Sequence, residues 1–211
     1  MRYPPLGIEL LGAERILELL DAGRRDEVSV SLGDSEDAGA SLDEAVYRAE
    51  KAWEGGSIPF FKLISVIQDV GAIRKERGIP VPDRGKAILA SLDAHTAGAD
   101  VMSLYLETAG FTVVRLDESV PDGIIVLNCM DEDVRVLCLS GQFVDKAVRI
   151  VSIADMLREG GIRDRLVLNA GGYSATPISL EKAGCDVIAN SGADAVRQIV
   201  RLVDRARDQT E

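Results

Sequence analysis

The sequence predicts an α/β protein in which a small all-helical domain precedes a doubly wound, five-stranded parallel sheet. From residue 85 onward, short apolar runs alternate with helical stretches, the pattern of a parallel sheet covered by helices on both faces. Before residue 79, apolar residues recur at helical spacing. Pro80 and Pro82 lie between the two patterns and cannot continue a helix. We therefore expect a helical domain over 1–78, a linker over 79–84 and the sheet domain over 85–211.

Helices are predicted in the first domain wherever apolar residues repeat every three or four positions. They cover residues 8–22, 41–53 and 57–78. Ser41 and Glu44 form a capping box at the start of the second helix. Residues 27–40 are rich in Ser, Gly, Asp and Glu, which predicts a mobile loop. Trp53, Phe60 and Phe61 belong either to the core of this domain or to a surface that covers a ligand.

The second domain alternates strands and helices. The predicted strands are Ala87 to Leu92, Thr112 to Leu116, Val134 to Leu139, Leu166 to Leu168 and Val187 to Ala189. The predicted helices are Gly98 to Ala109, Lys146 to Glu159, Ser179 to Ala183 and Ala193 to Ala206. The stretch from Gly123 to Met130 is apolar enough for a strand, but its position between two strands favours a crossover helix.

Composition excludes several classes of function. The chain of 211 residues has a formal net charge of −11, a field that repels nucleic acids. It contains no apolar run near the roughly 20 residues that a bilayer span needs. The first residues lack the basic and apolar regions of a secretion signal, so a cytoplasmic protein is expected. Cys129, Cys138 and Cys185 are expected to be reduced, buried thiols.

The one histidine of the chain falls at the end of the first predicted strand. Ligands of open α/β sheets bind at that carboxyl edge. Asp93 precedes His95 by two residues, a spacing at which a loop can turn a carboxylate onto an imidazole and leave the other nitrogen free for a metal or a proton. The alternatives are a solvent-exposed turn histidine without a role, or a helix cap by Asp93.

Three short motifs occur in a fixed order, each at the end of a predicted strand. They are Asp93-Ala94-His95-Thr96-Ala97-Gly98, then Ser140-Gly141-Gln142, then Gly171-Gly172. Their order and spacing resemble the D-x-H-x-x-G, S-x-L and Gly-Gly motifs of cobalamin-binding domains. Such domains occur in methionine synthase, in the corrinoid proteins of methyltransferase systems and in the small subunits of cobalamin-dependent mutases. The resemblance covers residues 84 to 206 and implies a flavodoxin-like, Rossmann-like fold.

The resemblance also implies roles for particular residues. His95 would be the lower axial ligand of cobalt in place of the cofactor's own base, and Asp93 and Ser140 would complete a proton-linked relay behind it. The cofactor's nucleotide tail would lie in a crevice beside small residues. The residues assigned to cofactor binding are Asp93, His95, Thr96, Gly98, Ser140, Gly141, Gln142, Gly171, Gly172 and Tyr173. Tyr173, Ser174 and Thr176 would contact the tail, or they would form a polar loop that caps the next helix.

The resemblance implies a corrinoid protein that binds cobalamin and carries a methyl group between partner methyltransferases, with the helical domain as a cap. The alternatives are the small subunit of an adenosylcobalamin-dependent mutase, or a regulatory module that binds cobalamin. Two departures from the family pattern keep open the regulatory module, or a domain that has kept the fold and lost the cofactor. Gln142 replaces the leucine of S-x-L, and Thr96 stands where methyltransferase corrinoid proteins usually have an aspartate.

Overall fold

The structure, a computed structural model, describes residues 12–33 and 37–209. The chain divides into two compact units, Met1–Val81 and Pro82–Glu211. Each unit is considered by itself below. Among the helices of the described residues, none combines the length and the apolar character that crossing a bilayer requires.

The described part of the first unit is helical. Its helices are α1 (Ala13–Asp21), α2 (Arg25–Ser31), α3 (Ala38–Glu54) and α4 (Phe60–Arg77). Each helix contributes fully buried apolar side chains to one core, among them Ile16, Val28, Leu42 and Ile67. Part of the predicted first helix, residues 8–11, lies outside the described residues. The all-helical character of residues 1–78 therefore stays a prediction.

Two predictions for this unit are wrong. The segment predicted as a loop over 27–40 contains most of α2, because Val28 is completely buried and the acidic residues Asp26 and Glu27 stabilise the first turn. The predicted capping box is not used. The helix α3 begins three residues before Ser41, whose backbone N–H already donates to the Asp37 carbonyl at 2.9 Å.

Three aromatic side chains of the first unit lie at its surface. Trp53 and Phe60 are 37% and 40% exposed, and their ring centroids are 5.5 Å apart. Phe61 is 66% exposed. Their interpretation as ordinary core residues is therefore wrong, which leaves them available for contact with a ligand or a partner.

The second unit is built on a parallel sheet of four strands with the order β2-β1-β3-β4. The strands are β1 (Lys86–Ser91), β2 (Thr112–Arg115), β3 (Val134–Ser140) and β4 (Val167–Gly171). The central strands β1 and β3 are apolar and almost wholly buried, as expected for a sheet covered on both faces.

Helices cover both faces of this sheet. They are α5 (Ala97–Thr108), α6 (Asp122–Asn128), α7 (Ala147–Glu159), α8 (Pro177–Ala183) and α9 (Gly192–Asp208). Ile88 and Ala90 of β1 share a core cluster with Ile125 of α6 and Ile150 of α7. The alternate strand residues are also buried and face the opposite side, where α5 and α9 pack together. The ambiguous stretch after Pro121 is the helix α6, as predicted from its position.

The predicted fifth strand is wrong, and the sheet ends at β4. The backbone N–H of Asp186 donates to the Leu168 carbonyl at 2.9 Å, as a strand neighbour would. In return, however, the Leu168 N–H donates to the Asp186 side chain at 2.7 Å. A carboxylate thus takes the place of the backbone acceptor, and residues 187–189 form no ladder with β4.

The three cysteines are free thiols, as predicted. Cys129 and Cys138 are buried, and burial raises the pKa of each to about 12. Cys185 is only partly buried, so the expectation of full burial is wrong for this residue. These environments keep the thiols protonated and therefore weakly nucleophilic.

Candidate functional site

The three motifs meet at the carboxyl edge of the sheet. Ser91, the last residue of β1, pairs with Ser140 at the end of β3, and Ser140 pairs with Gly171 at the end of β4. The loops that follow these strands therefore start side by side at the same level. The prediction that each motif falls at the end of a strand is correct, and the parallel register brings the three to one edge of the sheet.

His95 and Asp93 lie in the loop between β1 and α5. The His95 side chain is 57% exposed, whereas the Asp93 side chain is 5% exposed. The Asp93 Oδ1 atom accepts a hydrogen bond from the His95 backbone N–H at 3.0 Å. The His95 Nδ1 atom lies 3.6 Å from the same oxygen, slightly too far for a hydrogen bond. The structure thus places an accessible imidazole against a buried carboxylate.

The second carboxylate oxygen of Asp93 joins this loop to the one after β3. It accepts hydrogen bonds from the backbone N–H groups of Gln142 at 2.8 Å and Phe143 at 3.2 Å. Burial would raise the pKa of Asp93, but its three backbone donors and the neighbouring His95 outweigh that effect and lower the pKa. Asp93 is therefore a fixed anion that holds two motif loops together.

Ser140 lies beside the start of α5. Its Oγ atom would be 3.2 Å from a Cβ atom added to Gly98, so the glycine allows the hydroxyl and the helix to approach closely. Thr96, also at this helix start, bonds through its hydroxyl to the Asp100 side chain at 3.2 Å. The predicted relay from Ser140 to Asp93 and His95 stays a prediction.

The glycines of the second and third motifs differ in what surrounds them. A Cβ on Gly141 would lie 2.3 Å from the Ser174 Oγ, and a Cβ on Gly172 would lie 2.3 Å from the Gly141 carbonyl oxygen. These two glycines are thus required by packing within the chain itself. A Cβ on Gly171 would have no neighbour within 4 Å. Gly171 is therefore the member of this group that borders open space.

Other predicted tail-binding residues follow Gly172. Tyr173 is 70% exposed. Ser174 is fully buried, and its Oγ atom has no hydrogen-bond partner. Thr176 caps α8 by accepting a hydrogen bond from the Ser179 backbone N–H at 3.1 Å, so the capping alternative is correct for this residue. The orphaned hydroxyl of Ser174 is the feature here that calls for a further polar partner.

Arg149 on α7 supports the site and was not found from the sequence. Its guanidinium donates to the Leu92 carbonyl at 2.7 Å, to the Val120 carbonyl at 2.5 Å and to the Asp122 carboxylate at 2.7 Å. Leu92 directly precedes Asp93, so this arginine fixes the start of the histidine loop. An arginine on an amphipathic helix gives no sequence signal for such a role, because two of its three acceptors are distant backbone carbonyls.

The chain is similar in sequence to corrinoid proteins. It is 31% identical over 107 residues to the trimethylamine corrinoid protein of Methanosarcina barkeri, which is 51% of this chain and 49% of that protein. The match to trimethylamine corrinoid protein 2 of Methanosarcina acetivorans is 26% identical over 170 residues, 80% of this chain and 74% of that protein. The chain spans about half the length of the first relatives that it matches. No family model matches it.

Solved structures share the fold. A cobalamin-binding protein from Desulfitobacterium hafniense aligns with a TM-score of 0.75 and 23% identity over 90% of this chain and 95% of that chain. The methanol:cobalamin methyltransferase complex MtaBC of Methanosarcina barkeri aligns with a TM-score of 0.66 and 17% identity over 96% of this chain and 81% of that chain. The resemblance inferred from the three motifs is thus confirmed: the chain is similar in sequence to corrinoid proteins of methylamine systems and has the fold of cobalamin-binding proteins.

Proposed function

We propose that this protein is a corrinoid protein that binds cobalamin with the cofactor's own base displaced and with His95 as the lower ligand of cobalt. The observation that carries the proposal is the exposed His95 imidazole beside the buried Asp93 carboxylate, at the edge where all three motifs converge. The similarity to corrinoid proteins supports the same assignment.

The residues of the histidine loop fit a lower ligand. Asp93 is held by three backbone N–H groups, so it can orient the imidazole without moving. A small rotation of His95 would bring its Nδ1–H within hydrogen-bond distance of Asp93 and leave Nε2 free for the metal. The carboxylate would then raise the basicity of the imidazole, and Ser140 would complete the relay. The bound corrinoid would supply the cobalt that carries the methyl group.

The second and third motifs fit a bound nucleotide tail. Gly171 borders open space, and the buried Ser174 hydroxyl lacks a partner in the chain. We assign the tail to the space beside Gly171 and the exposed Tyr173, with the backbone of Gly141 and Gly172 at its border. Thr96, Gly98 and Gln142 are assigned to the loops around the corrin.

The proposed role is a carrier that exchanges a methyl group with partner methyltransferases in the cytoplasm. The names of the relatives favour this role over the mutase subunit and the regulatory module, since each relative is a corrinoid protein of a methylamine system. The complex of the second structural neighbour supports a methyltransferase as partner. We assign the role of cap to the helical unit, which exposes the aromatic side chains Trp53, Phe60 and Phe61.

Replacing His95 with alanine is expected to abolish the histidine ligand. The protein loaded with cobalamin and reduced to the Co(II) state should show, by electron paramagnetic resonance, splitting from one axial nitrogen. Labelling the protein uniformly with ¹⁵N should change that splitting, because the nitrogen would come from the chain and not from the cofactor. His95→Ala should lose the splitting and shift the absorption spectrum to the base-off form.

Val148→Ala serves as the control for this experiment, since Val148 is 71% exposed on α7 and outside the motifs. It should load cobalamin with the same spectrum as the wild type. A splitting that stays the same with the ¹⁵N label would mean that the cofactor keeps its own base, and the proposal would be wrong. Light-sensitive binding of adenosylcobalamin with a change of oligomer size would instead support the regulatory module.

A further inference from the structure

Phe143 touches both members of the histidine–aspartate pair. Its ring lies 5.0 Å from the His95 ring between centroids, at an interplanar angle of 87°. Its backbone N–H donates to the Asp93 carboxylate at 3.2 Å. Both rings are accessible, with Phe143 49% exposed and the His95 side chain 57% exposed. One residue of the loop after β3 thus contacts two residues of the loop after β1.

The contact with Phe143 restricts the orientation of the His95 ring, whereas the Asp93 carboxylate makes no hydrogen bond to that ring. His95 Nδ1 and Asp93 Oδ1 are 3.6 Å apart, beyond hydrogen-bond distance. An edge-to-face pair of rings is a favourable arrangement that fixes the relative orientation of its members. An exposed histidine would otherwise exchange freely among its rotamers.

The position of Phe143 also bears on a departure from the family pattern. Gln142 occupies the place of the S-x-L leucine, and its side chain is exposed. Phe143 follows directly and places an apolar ring against the histidine. The apolar side chain that packs on His95 is therefore that of Phe143, one residue after Gln142.

We propose that Phe143 is a positioning residue that orients the His95 ring for ligation. This inference rests on the proposed function, because ligation presupposes a bound corrinoid. A ring that is already oriented loses less freedom when it binds, so the bound form with histidine on cobalt is favoured. Substitutions of the Phe143 side chain remove the ring contact with His95 but keep the backbone N–H that donates to Asp93. They therefore test the ring contact alone.

The geometry can be tested without any cofactor. His95 is the one histidine of the chain, so its ring protons give a single set of nuclear magnetic resonance signals. Phe143→Leu should shift these signals because it removes the ring current of the phenylalanine. Phe143→Tyr keeps an aromatic ring and should leave them near their wild-type positions, as should Val148→Ala. Unchanged signals in a folded Phe143→Leu protein would overturn the contact and the inference with it.

The consequence for ligation is tested on the protein loaded with hydroxocobalamin. The ratio of histidine-on to histidine-off cofactor should fall about two- to tenfold in Phe143→Leu, the range expected for loss of one aromatic pair. Phe143→Tyr should keep the ratio of the wild-type protein. Loss of cobalamin affinity with an unchanged ratio would assign Phe143 to the corrin surface and overturn the inference.

The two proposals fail in different ways. If the wild-type protein binds no cobalamin with histidine on cobalt, then the proposed function fails, whatever the variants of Phe143 do. If the wild-type protein shows the histidine ligand and Phe143→Leu leaves the ratio unchanged, only the role of Phe143 fails.

Discussion

Gly172→Ala is expected to destabilise the sheet unit by about 2 to 4 kcal/mol. Gly172 has φ of +80°, a conformation that costs an L-residue about 1 to 2 kcal/mol. The new Cβ would also lie 2.3 Å from the Gly141 carbonyl oxygen, which is backbone and cannot move without disturbing the loop after β3. The measurement is the free energy of unfolding in urea, followed by circular dichroism. The one tryptophan of the chain, Trp53, belongs to the helical unit, so its fluorescence is not used to follow unfolding of the sheet unit.

Gly171→Ala is the matched control for that experiment. The two glycines are neighbours, but Gly171 lacks a positive φ and an added Cβ would have nothing within 4 Å. We expect its free energy of unfolding to stay within about 1 kcal/mol of the wild type. If Gly171 lines the cofactor crevice as proposed, this variant should nevertheless bind cobalamin more weakly. Equal stability of the two variants would contradict the strained geometry at Gly172.

Asp93→Asn is expected to lower the free energy of unfolding by about 2 to 3 kcal/mol. The carboxylate accepts three backbone hydrogen bonds on its two oxygens. An asparagine has a single acceptor oxygen, so its amide nitrogen would face at least one N–H donor and leave that group unsatisfied. The measurement is urea unfolding of the cofactor-free protein at pH 7, and loss of the link should also loosen the loop after β3.

The acid side of the stability profile should change in the same variant. Since the pKa of Asp93 is lowered in the folded protein, its stabilisation is fully present above the unfolded pKa of about 3.9 and is lost as the pH falls through the lower folded value. Wild-type stability should therefore decrease below about pH 4, and Asp93→Asn should show less of that decrease. Asp145→Asn is the control, because the Asp145 side chain is 69% exposed. An equal effect of the two substitutions would contradict the role given to Asp93.

Much of the second unit could be predicted from residue patterns alone. Strands such as β1 and β3 are mostly apolar, and each is followed by a loop and a helix, so both the parallel sheet and the edge that bears the motifs follow from the pattern. The prediction of a fifth strand failed because a side chain accepts the hydrogen bond that a backbone carbonyl would accept in a sheet. Asp186 accepts the hydrogen bond from Leu168 that a fifth strand would have accepted, and no propensity scale contains that information.

The sequence indicated candidate residues for the site, but not the contacts that these residues make with one another. The sequence placed Asp93 behind His95, yet the carboxylate is mainly a link to the backbone of Gln142 and Phe143, residues far along the chain. The contact between the Phe143 ring and His95 was missed for the same reason. Ser174 was predicted as a tail contact or a loop residue, but not as a buried hydroxyl without a partner. Such contacts depend on the register between β1, β3 and β4, which local patterns do not determine.

The side chain of Asp186 has a consequence for the solubility of this protein. A parallel sheet that stops after its fourth strand exposes an edge on which another chain could add a strand and start aggregation. Here the Leu168 N–H is already bonded to a carboxylate, and Arg163 pairs with that carboxylate at 2.9 Å. The Asp186–Arg163 pair therefore occupies the outer edge of β4 at Leu168 and hinders the addition of a strand from another molecule. Asp186→Ala would leave the Leu168 N–H without this acceptor.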